Sequence, residues 1–309
     1  MDPKNKHLLV IAGPTAVGKT ETCLNLAKFF QTEIISSDSR QFYKEMVLGT
    51  AKPNQEELST VPHHFINSLS IHEEFDVKRF EQDTISLLQD LFKKHDLVLM
   101  TGGSGLYIDA ICYGFDDIPD INPSIRQQLI LDFGENGIGY LQEELQKSDP
   151  IYYDIVDKNN PQRLMRALEV CIGTGKPFSS FRKKKQSKRD FRIIKIGLER
   201  DRDDLYQRID QRMDLMIESG LFEEAEKLFP LRHLNALQTV GYSEIFGYLE
   251  GKYDKDEAVR LLKRNSRRYA KRQLTWFRRI PDMKWFHPDR FDVILKFVKK
   301  EASWIESNK

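Results

Sequence analysis

Residues Gly13-Pro14-Thr15-Ala16-Val17-Gly18-Lys19-Thr20 directly follow the apolar run Leu8-Leu9-Val10-Ile11-Ala12. They impose a strand, a tight glycine loop and a helix in that order. The pattern is GxxxxGKT, a P-loop. Its glycines let the backbone curl so that several N–H groups point at one anion. Lys19 adds a point charge, the Thr20 hydroxyl is placed to ligate Mg²⁺, and the helix that follows turns its positive end toward the phosphates. A chance glycine turn is the bland alternative, but strand, loop and Lys-Thr stand here in register. The motif predicts a bound di- or triphosphate at Gly13, Pro14, Thr15, Ala16, Val17, Gly18, Lys19 and Thr20. It does not specify the reaction.

Further strand-like runs at Glu33–Ser36, Leu97–Thr101 and Arg192–Leu198 alternate with helical patterns at Thr20–Phe30 and Val77–Lys94. Such alternation predicts a parallel sheet covered by helices. Sites in such sheets lie beyond the carboxyl ends of the strands. The second run leads into Ser37-Asp38-Ser39 and the third into Gly102-Gly103-Ser104-Gly105. Asp38 is placed to hold a cation or to take a proton from a nucleophile, or else simply to cap a turn. The second glycine turn and Ser104 offer donors to the same anion, or only a tight bend. Lys52 reads as a surface lysine. Arg208 and Arg212, one helical turn apart, read equally as a phosphate clamp and as partners of acids such as Asp204.

From about Asp116 the character changes. A turn-rich link precedes short helical patterns interrupted by Gly134, Gly137, Gly139, Pro150 and Pro161. The expected organisation is a core of residues 1–115 and 190–309 with a helical insertion at 116–189. Helices are expected at Arg202–Leu228, at Lys255–Arg279 (capped by Asp256 and stopped before Pro281), and after Pro288.

At 309 residues the chain can bury a large core. No apolar stretch is long enough to span a bilayer. The start of the chain reads as leaving no room for a signal peptide. Cys23, Cys112 and Cys171 have neither disulfide nor metal spacing, and His63 and His64 on a predicted loop lack ligand partners. A reducing, cytoplasmic setting fits. The net charge of +1 conceals two basic runs. Arg182-Lys183-Lys184-Lys185 precedes Lys188, Arg189 and Arg192, and Arg260–Arg279 contains no acidic residue. Two such stripes in a phosphate-binding chain bring nucleic acid into view beside solvated faces. Leu261, Leu262, Tyr269, Trp276 and Phe277 read as the core side of the last basic helix, which leaves its cations facing outward.

Seven motifs now stand in order. They are the P-loop, Asp38 through Tyr43, Gly49-Thr50-Ala51-Lys52-Pro53, Gly102 through Tyr107, Asn160-Pro161-Gln162-Arg163-Leu164 with Arg166-Ala167-Leu168-Glu169-Val170, Val240-Gly241-Tyr242, and Ala270 through Arg278. Together they resemble the tRNA dimethylallyltransferase (isopentenyltransferase) family along nearly the whole chain. The resemblance implies a nucleotide-kinase-like P-loop core with flanking helices and an inserted helical domain. It implies transfer of a dimethylallyl group from its diphosphate to N6 of adenosine 37 in tRNA, with Mg²⁺.

By motif, Asp38 matches the general base, and Lys19, Thr20 and Ser104 are further expected catalytic groups, with Thr20 the expected metal ligand; Arg212, from its place on the helix after the fourth strand, is expected to help stabilise the leaving diphosphate. Contacts to tRNA are implied at Asp38, Ser39, Arg40, Gln41, Ser104, Arg126, Gln162, Arg163, Leu164, Met165, Arg166, Gln238, Thr239, Val240, Gly241, Tyr242 and Ser243. The family often has threonine at position 104 and arginine at 238 and 243. A zinc finger found in some eukaryotic relatives has no counterpart. The partners expected are a tRNA anticodon stem-loop and dimethylallyl diphosphate, with no membrane, and the chain is expected to act as a monomer. Three rivals share parts of the pattern: a P-loop small-molecule kinase, an adenylate isopentenyltransferase, and an RNA-binding protein with a relic P-loop.

Overall fold

A computed structural model describes residues 6–182 and 187–302. Two compact units emerge, one of residues up to Cys112 together with those from Lys188, the other of Tyr113–Ser187.

The first unit is built on a six-stranded parallel sheet of β1 (His7–Ala12), β2 (Ile34–Ser36), β3 (His63–His64), β4 (Leu97–Gly102), β5 (Arg192–Leu198) and β6 (Lys284–Phe286), in the order β3-β2-β4-β1-β5-β6. Every residue of β1 is buried, which explains a run with no polar alternation. Leu9, Ile11, Leu99 and Ile196 pack with Leu26 of α1 (Lys19–Phe30), Leu205 and Ile209 of α8 (Arg202–Glu218), and Ile294 and Val298 of α12 (Phe291–Glu301). An aromatic cluster of Phe42, Phe65, Phe75, Phe80 and Tyr107 draws on α3 (Val77–Leu91) and α4 (Gly105–Tyr113).

Because β2, β4 and β1 are neighbours, their carboxyl ends lie side by side, with Ala12 paired to Gly102 and Ser36 to Thr101. The P-loop, the Asp38 turn and the second glycine loop therefore converge, as the strand-end rule requires.

Several boundaries differ from the sequence-based expectation. His63 and His64 form the edge strand β3, and His64 Nε2 lies 2.7 Å from Glu33 Oε2. Two- and three-residue edge strands such as β3 and β6 carry too little periodicity to be read. The expected helix Arg202–Leu228 is two, α8 and α9 (Leu221–Leu228), parted at Gly220 with φ 101°. Asp254, not Asp256, caps α11 (Lys255–Phe277), accepting from Glu257 N–H at 2.8 Å. Short helices α2 (Gln55–Thr60) and α10 (Tyr242–Leu249) lie in segments read as loop or motif.

The second unit is all helical. It comprises α5 (Pro123–Ser148), α6 (Pro150–Ile155) and α7 (Pro161–Thr174) around Leu141, Leu145, Leu164, Leu168 and Val170. Of the three glycines expected to interrupt α5, only Gly137 leaves helical geometry. Asn160 caps α7 through Arg163 N–H with Pro161 at the first position, where its missing donor costs nothing.

Candidate active site

A cavity of about 500 Å³ opens over the converging strand ends. The P-loop from Thr15 to Thr20 forms one wall, Asp38 with Arg40 and Gln41 another, and Arg208 and Arg212 from α8 a third. Apolar side chains close one side, among them Met213, Met216 and Leu221.

The P-loop is held open by its own backbone and by arginines behind it. Gly18, at φ 111°, stands where a side chain would be strained, and it starts α1 with free amides. Ala16 takes the left-handed conformation at φ 63°, a strain typical of functional loops. Arg208 Nε donates to Ala16 O at 3.0 Å and Arg200 Nε to Val17 O at 2.9 Å, so both guanidinia brace the loop. Asp204 is partnered by Arg200, not by Arg208. Gly13 and Pro14 offer their carbonyls to Lys19 Nζ, at 2.9 and 2.8 Å. Burial pushes the Lys19 ammonium down to about 8, against the attraction of Asp38 and with the repulsion of Arg212.

Arg212 completes the anion site. Its Nε is buried without a hydrogen-bond partner. Burial pushes the guanidinium down to about 10, with Asp38 opposing the shift. A buried guanidinium N–H beside the P-loop is suited to donate to an anion.

Asp38 is fixed by a short turn. Its Oδ1 accepts from Arg40 N–H at 3.0 Å, its own N–H donates to Ser36 Oγ at 3.4 Å, and its carbonyl accepts from Gln41 N–H at 3.2 Å. Ser104 stands behind this turn. Its Oγ accepts from Ser39 N–H at 3.0 Å and donates to Ser39 Oγ at 3.1 Å. The Ser104 hydroxyl thus braces Asp38 and is not among the groups lining the cavity. Lys52, read as a surface lysine, reaches Tyr43 O and Asn67 Oδ1, and burial pushes it down to about 8.

Sequence reasoning missed three residues here. Tyr269, assigned to the core, lines the cavity, and burial together with the nearby Asp38 carboxylate raises its phenol. Gln273, inside a quoted motif but given no role, joins Thr15 N–H to Gly103 O. Glu224 gathers the amides of Val47, Leu48 and Gly49 and the Tyr242 hydroxyl, the last at 2.6 Å, and so holds the Gly49–Pro53 loop. No local pattern marks Glu224, because the amides it gathers lie about 175 residues earlier.

The residues expected to contact RNA divide. Arg40, Gln41, Thr239, Val240 and Gly241 line the cavity. Tyr242 does not. It is 0% exposed and locked on Glu224, so its place in the motif reflects packing. Leu164 and Met165 are likewise core residues of the second unit, on the inner face of α7. On the outer face Arg126 contacts Gln162, and Arg126 and Arg166 both reach Glu169, at 3.5 and 3.1 Å. Arg163 is exposed, while Gln238 and Ser243 are bonded to Arg232 O and Thr239 O.

The basic stripes are less free than composition implies. Lys183, Lys184 and Lys185 lie outside the described residues. Arg189 is turned inward onto Glu81 and two carbonyls. On α11, Lys263 and Arg267 pair with Asp214 and Asp210 of α8, which leaves Arg268, Lys271 and Arg272 exposed.

Fold and cavity define a P-loop enzyme of the nucleotide-kinase-like class with a carboxylate facing its anion site. The IPP transferase family model matches residues 41–280, and the chain belongs to that family. It is 48% identical over 294 residues to tRNA dimethylallyltransferase 2 of Parabacteroides distasonis, covering 95% of this chain and 98% of that one. It is 52% identical over 285 residues to tRNA dimethylallyltransferase of Christiangramia forsetii, covering 92% and 94%. Among solved structures it resembles the full-length tRNA isopentenylpyrophosphate transferase of Bacillus halodurans, with TM-score 0.71, 38% identity and coverage of 99% and 100%. It also resembles a eukaryotic dimethylallyltransferase acting on tRNA, with TM-score 0.72, 28% identity and coverage of 88% and 69%.

Proposed function

We propose that this chain transfers a dimethylallyl group from dimethylallyl diphosphate to N6 of adenosine 37 in tRNA. The observation that carries the proposal is the juxtaposition in one cavity of Asp38, the P-loop and Arg212, whose buried Nε has no hydrogen-bond partner. The diphosphate sits on the amides of the P-loop, with Lys19 turning from the Gly13 and Pro14 carbonyls toward it. The prenyl chain lies against Met213, Met216 and Leu221. Adenine leaves the anticodon-loop stack to reach so recessed a site.

In the reaction the N6 nitrogen bonds to the allylic carbon, the carbon–oxygen bond to diphosphate breaks, and the N6 proton passes to the Asp38 carboxylate. A delocalised amine is a poor nucleophile, and a positioned base typically contributes about 10²–10⁴ in rate. The charge that builds on the departing diphosphate is met by Lys19, Arg212 and backbone N–H groups that need no reorganisation. Ser104 acts by holding Ser39 and thereby the Asp38 turn.

The donors suit Mg²⁺. Thr20 supplies a hard oxygen at the cavity. Among the described residues no cluster of three or more His, Cys, Asp or Glu can hold a metal, which fits an ion that relies on substrate phosphates and water. Bound there, Mg²⁺ would supply further neutralisation of the leaving group.

Exposed Arg268, Lys271 and Arg272 and the outer face of α7 are the surfaces assigned to the tRNA backbone. No helix among the described residues is long and apolar enough to cross a membrane. A cytoplasmic monomer is the working state proposed. The test is labelled dimethylallyl diphosphate incubated with unmodified tRNA, with AMP, or with no acceptor. Label in tRNA is expected. Label in AMP alone, or none in either acceptor, overturns the reading.

A further inference from the structure

The amide of Gln273 uses both of its ends, and each end holds a different loop of the cavity. Oε1 accepts from Thr15 N–H at 2.9 Å and Nε2 donates to Gly103 O at 2.9 Å. The residue is 6% exposed, with the Gly103 contact buried and the Thr15 contact part-buried at the cavity. The two loops end neighbouring strands, β1 and β4, and both line the cavity. A Cβ at position 103 would lie 2.2 Å from Nε2 and 3.7 Å from Asp38 Oδ2. Glycine there makes room for the amide, and the amide lies next to the carboxylate that serves as base. One turn further along α11, Trp276 Nε1 donates to Asp109 Oδ2 at 2.9 Å, and its ring covers Gly105. The helix thus grips the second glycine loop at two successive points.

Only a primary amide of this length meets both demands. A carboxylate accepts from Thr15 but cannot donate to the Gly103 carbonyl, and a thioether does neither. Loop spacing matters because diphosphate is held by one loop, while the base turn is braced by the other through Ser104.

We propose that Gln273 is a positioning residue for the transfer reaction, its amide setting the distance between the diphosphate cradle and the base turn. This rests on the function proposed above. Displacement of reacting groups by about 1 Å is enough to cost about 10²-fold in rate. The same helix carries exposed Arg268, Lys271 and Arg272 on its outer side, so RNA bound there would bear on both loops through one rigid element.

The test uses the full chain and two variants, Gln273→Met and Gln273→Glu. Three quantities are read: Kd for inorganic pyrophosphate with Mg²⁺, Kd for tRNA, and kcat and KM for transfer. For Gln273→Met the expected result is a fall of tenfold or more in kcat and a several-fold weaker pyrophosphate Kd, with tRNA Kd within twofold. Gln273→Glu keeps the Thr15 contact but adds charge, and is expected to weaken pyrophosphate further. It also keeps the experiment decisive if the methionine variant does not fold. Unchanged pyrophosphate Kd and kcat in a folded variant, whatever its melting temperature, overturn the proposal, and so does a loss confined to tRNA binding. Absence of transfer by the parent chain would instead strike the proposed function, while pyrophosphate Kd would still report on Gln273.

Discussion

Replacing Arg212 with methionine is expected to make the ligand-free protein more stable and the enzyme much slower. The guanidinium is driven from 12.5 to about 10, chiefly by burial, even with Asp38 nearby to support its charge. At about 1.36 kcal/mol per pH unit, that displacement corresponds to roughly 3 kcal/mol of cost for keeping the folded chain charged. A folded value below the unfolded one means the unfolded chain binds more protons between about 10 and 12.5, so stability rises with pH across that window. Below about 10 both states are charged and the cost is present in full. Methionine keeps much of the aliphatic stem and carries no donor that needs an anion. Relief of part of that cost, about 1–3 kcal/mol, corresponds to roughly 2–6 °C in melting temperature at the scale of a chain of this size.

The same change deletes a charge aimed at the departing diphosphate. Loss of one such preorganised donor typically lowers kcat by about 10²–10³. Scanning calorimetry at pH 7 with and without pyrophosphate, alongside single-turnover transfer, reads both effects. The ligand-free variant is expected to melt higher than the parent and to gain less on adding pyrophosphate. A variant that melts lower while keeping kcat within tenfold would refute the view that an unpaired cation is kept here for its ligand.

Asp38→Asn preserves an acceptor for Arg40 N–H, so the turn should survive while proton transfer does not. Transfer is expected to fall by about 10²–10⁴ with tRNA affinity within a few-fold, measured by filter binding beside the labelled assay. Lys19, held down near 8, loses its charge as pH rises through that value, so kcat/KM for dimethylallyl diphosphate should decline above about pH 8. Lys19→Arg keeps its charge, and a decline in its profile at the same pH would assign the transition to another group. Glu224→Ala leaves the amides of Val47, Leu48 and Gly49 and the Tyr242 hydroxyl without their acceptor. Urea unfolding is expected to show a loss of about 2–3 kcal/mol, and a loss under 0.5 kcal/mol would mean that water replaces the carboxylate freely.

What the sequence made legible is what the chain encodes locally. A P-loop is eight consecutive residues whose spacing is its geometry, so strand, cradle and helix could be placed without a partner. Asp38 was legible for a related reason: a strand end is a local event, and parallel sheets put such ends on one side. Gln273 and Glu224 act across 258 and about 175 residues, and nothing near either position announces the loop it will hold. Membership of a motif proved a blunt guide as well. Leu164 and Met165 sit between the exposed Arg163 and Arg166 in sequence but point into the core of the second unit, because a helix turns by about 100° per residue and a contiguous motif must cross both faces, and Tyr242 is likewise buried.

The last basic helix shows how the same periodicity both informs and misleads. Leu262, Ser266, Tyr269, Gln273 and Phe277 form one stripe of α11 at helical spacing, of which Leu262, Tyr269 and Phe277 read as core in the sequence. Leu262 and Phe277 at its ends are fully buried, as expected. Midway along, the stripe passes over the strand ends rather than over the sheet, and there Ser266, Tyr269 and Gln273 line the cavity. The polar residues within the stripe were the available signal. A phenol, an amide and a hydroxyl on an inward face each require a partner: Ser266 meets Met213 Sδ of α8, Tyr269 meets Gln273, and Gln273 meets the two loops. On the opposite face, Lys263 and Arg267 were counted toward a free cationic surface, yet α8 places Asp214 and Asp210 against them. Charge runs therefore overstated how many of the helix's cations are free of acidic partners. The exposed remainder, Arg268, Lys271 and Arg272, is grouped within two turns of Gln273. If the exposed cations meet the tRNA backbone as proposed, a helix that also braces two loops through Gln273 would tie backbone recognition to the geometry of transfer, and the polar members of its buried stripe would bear more directly on the chemistry than its cations.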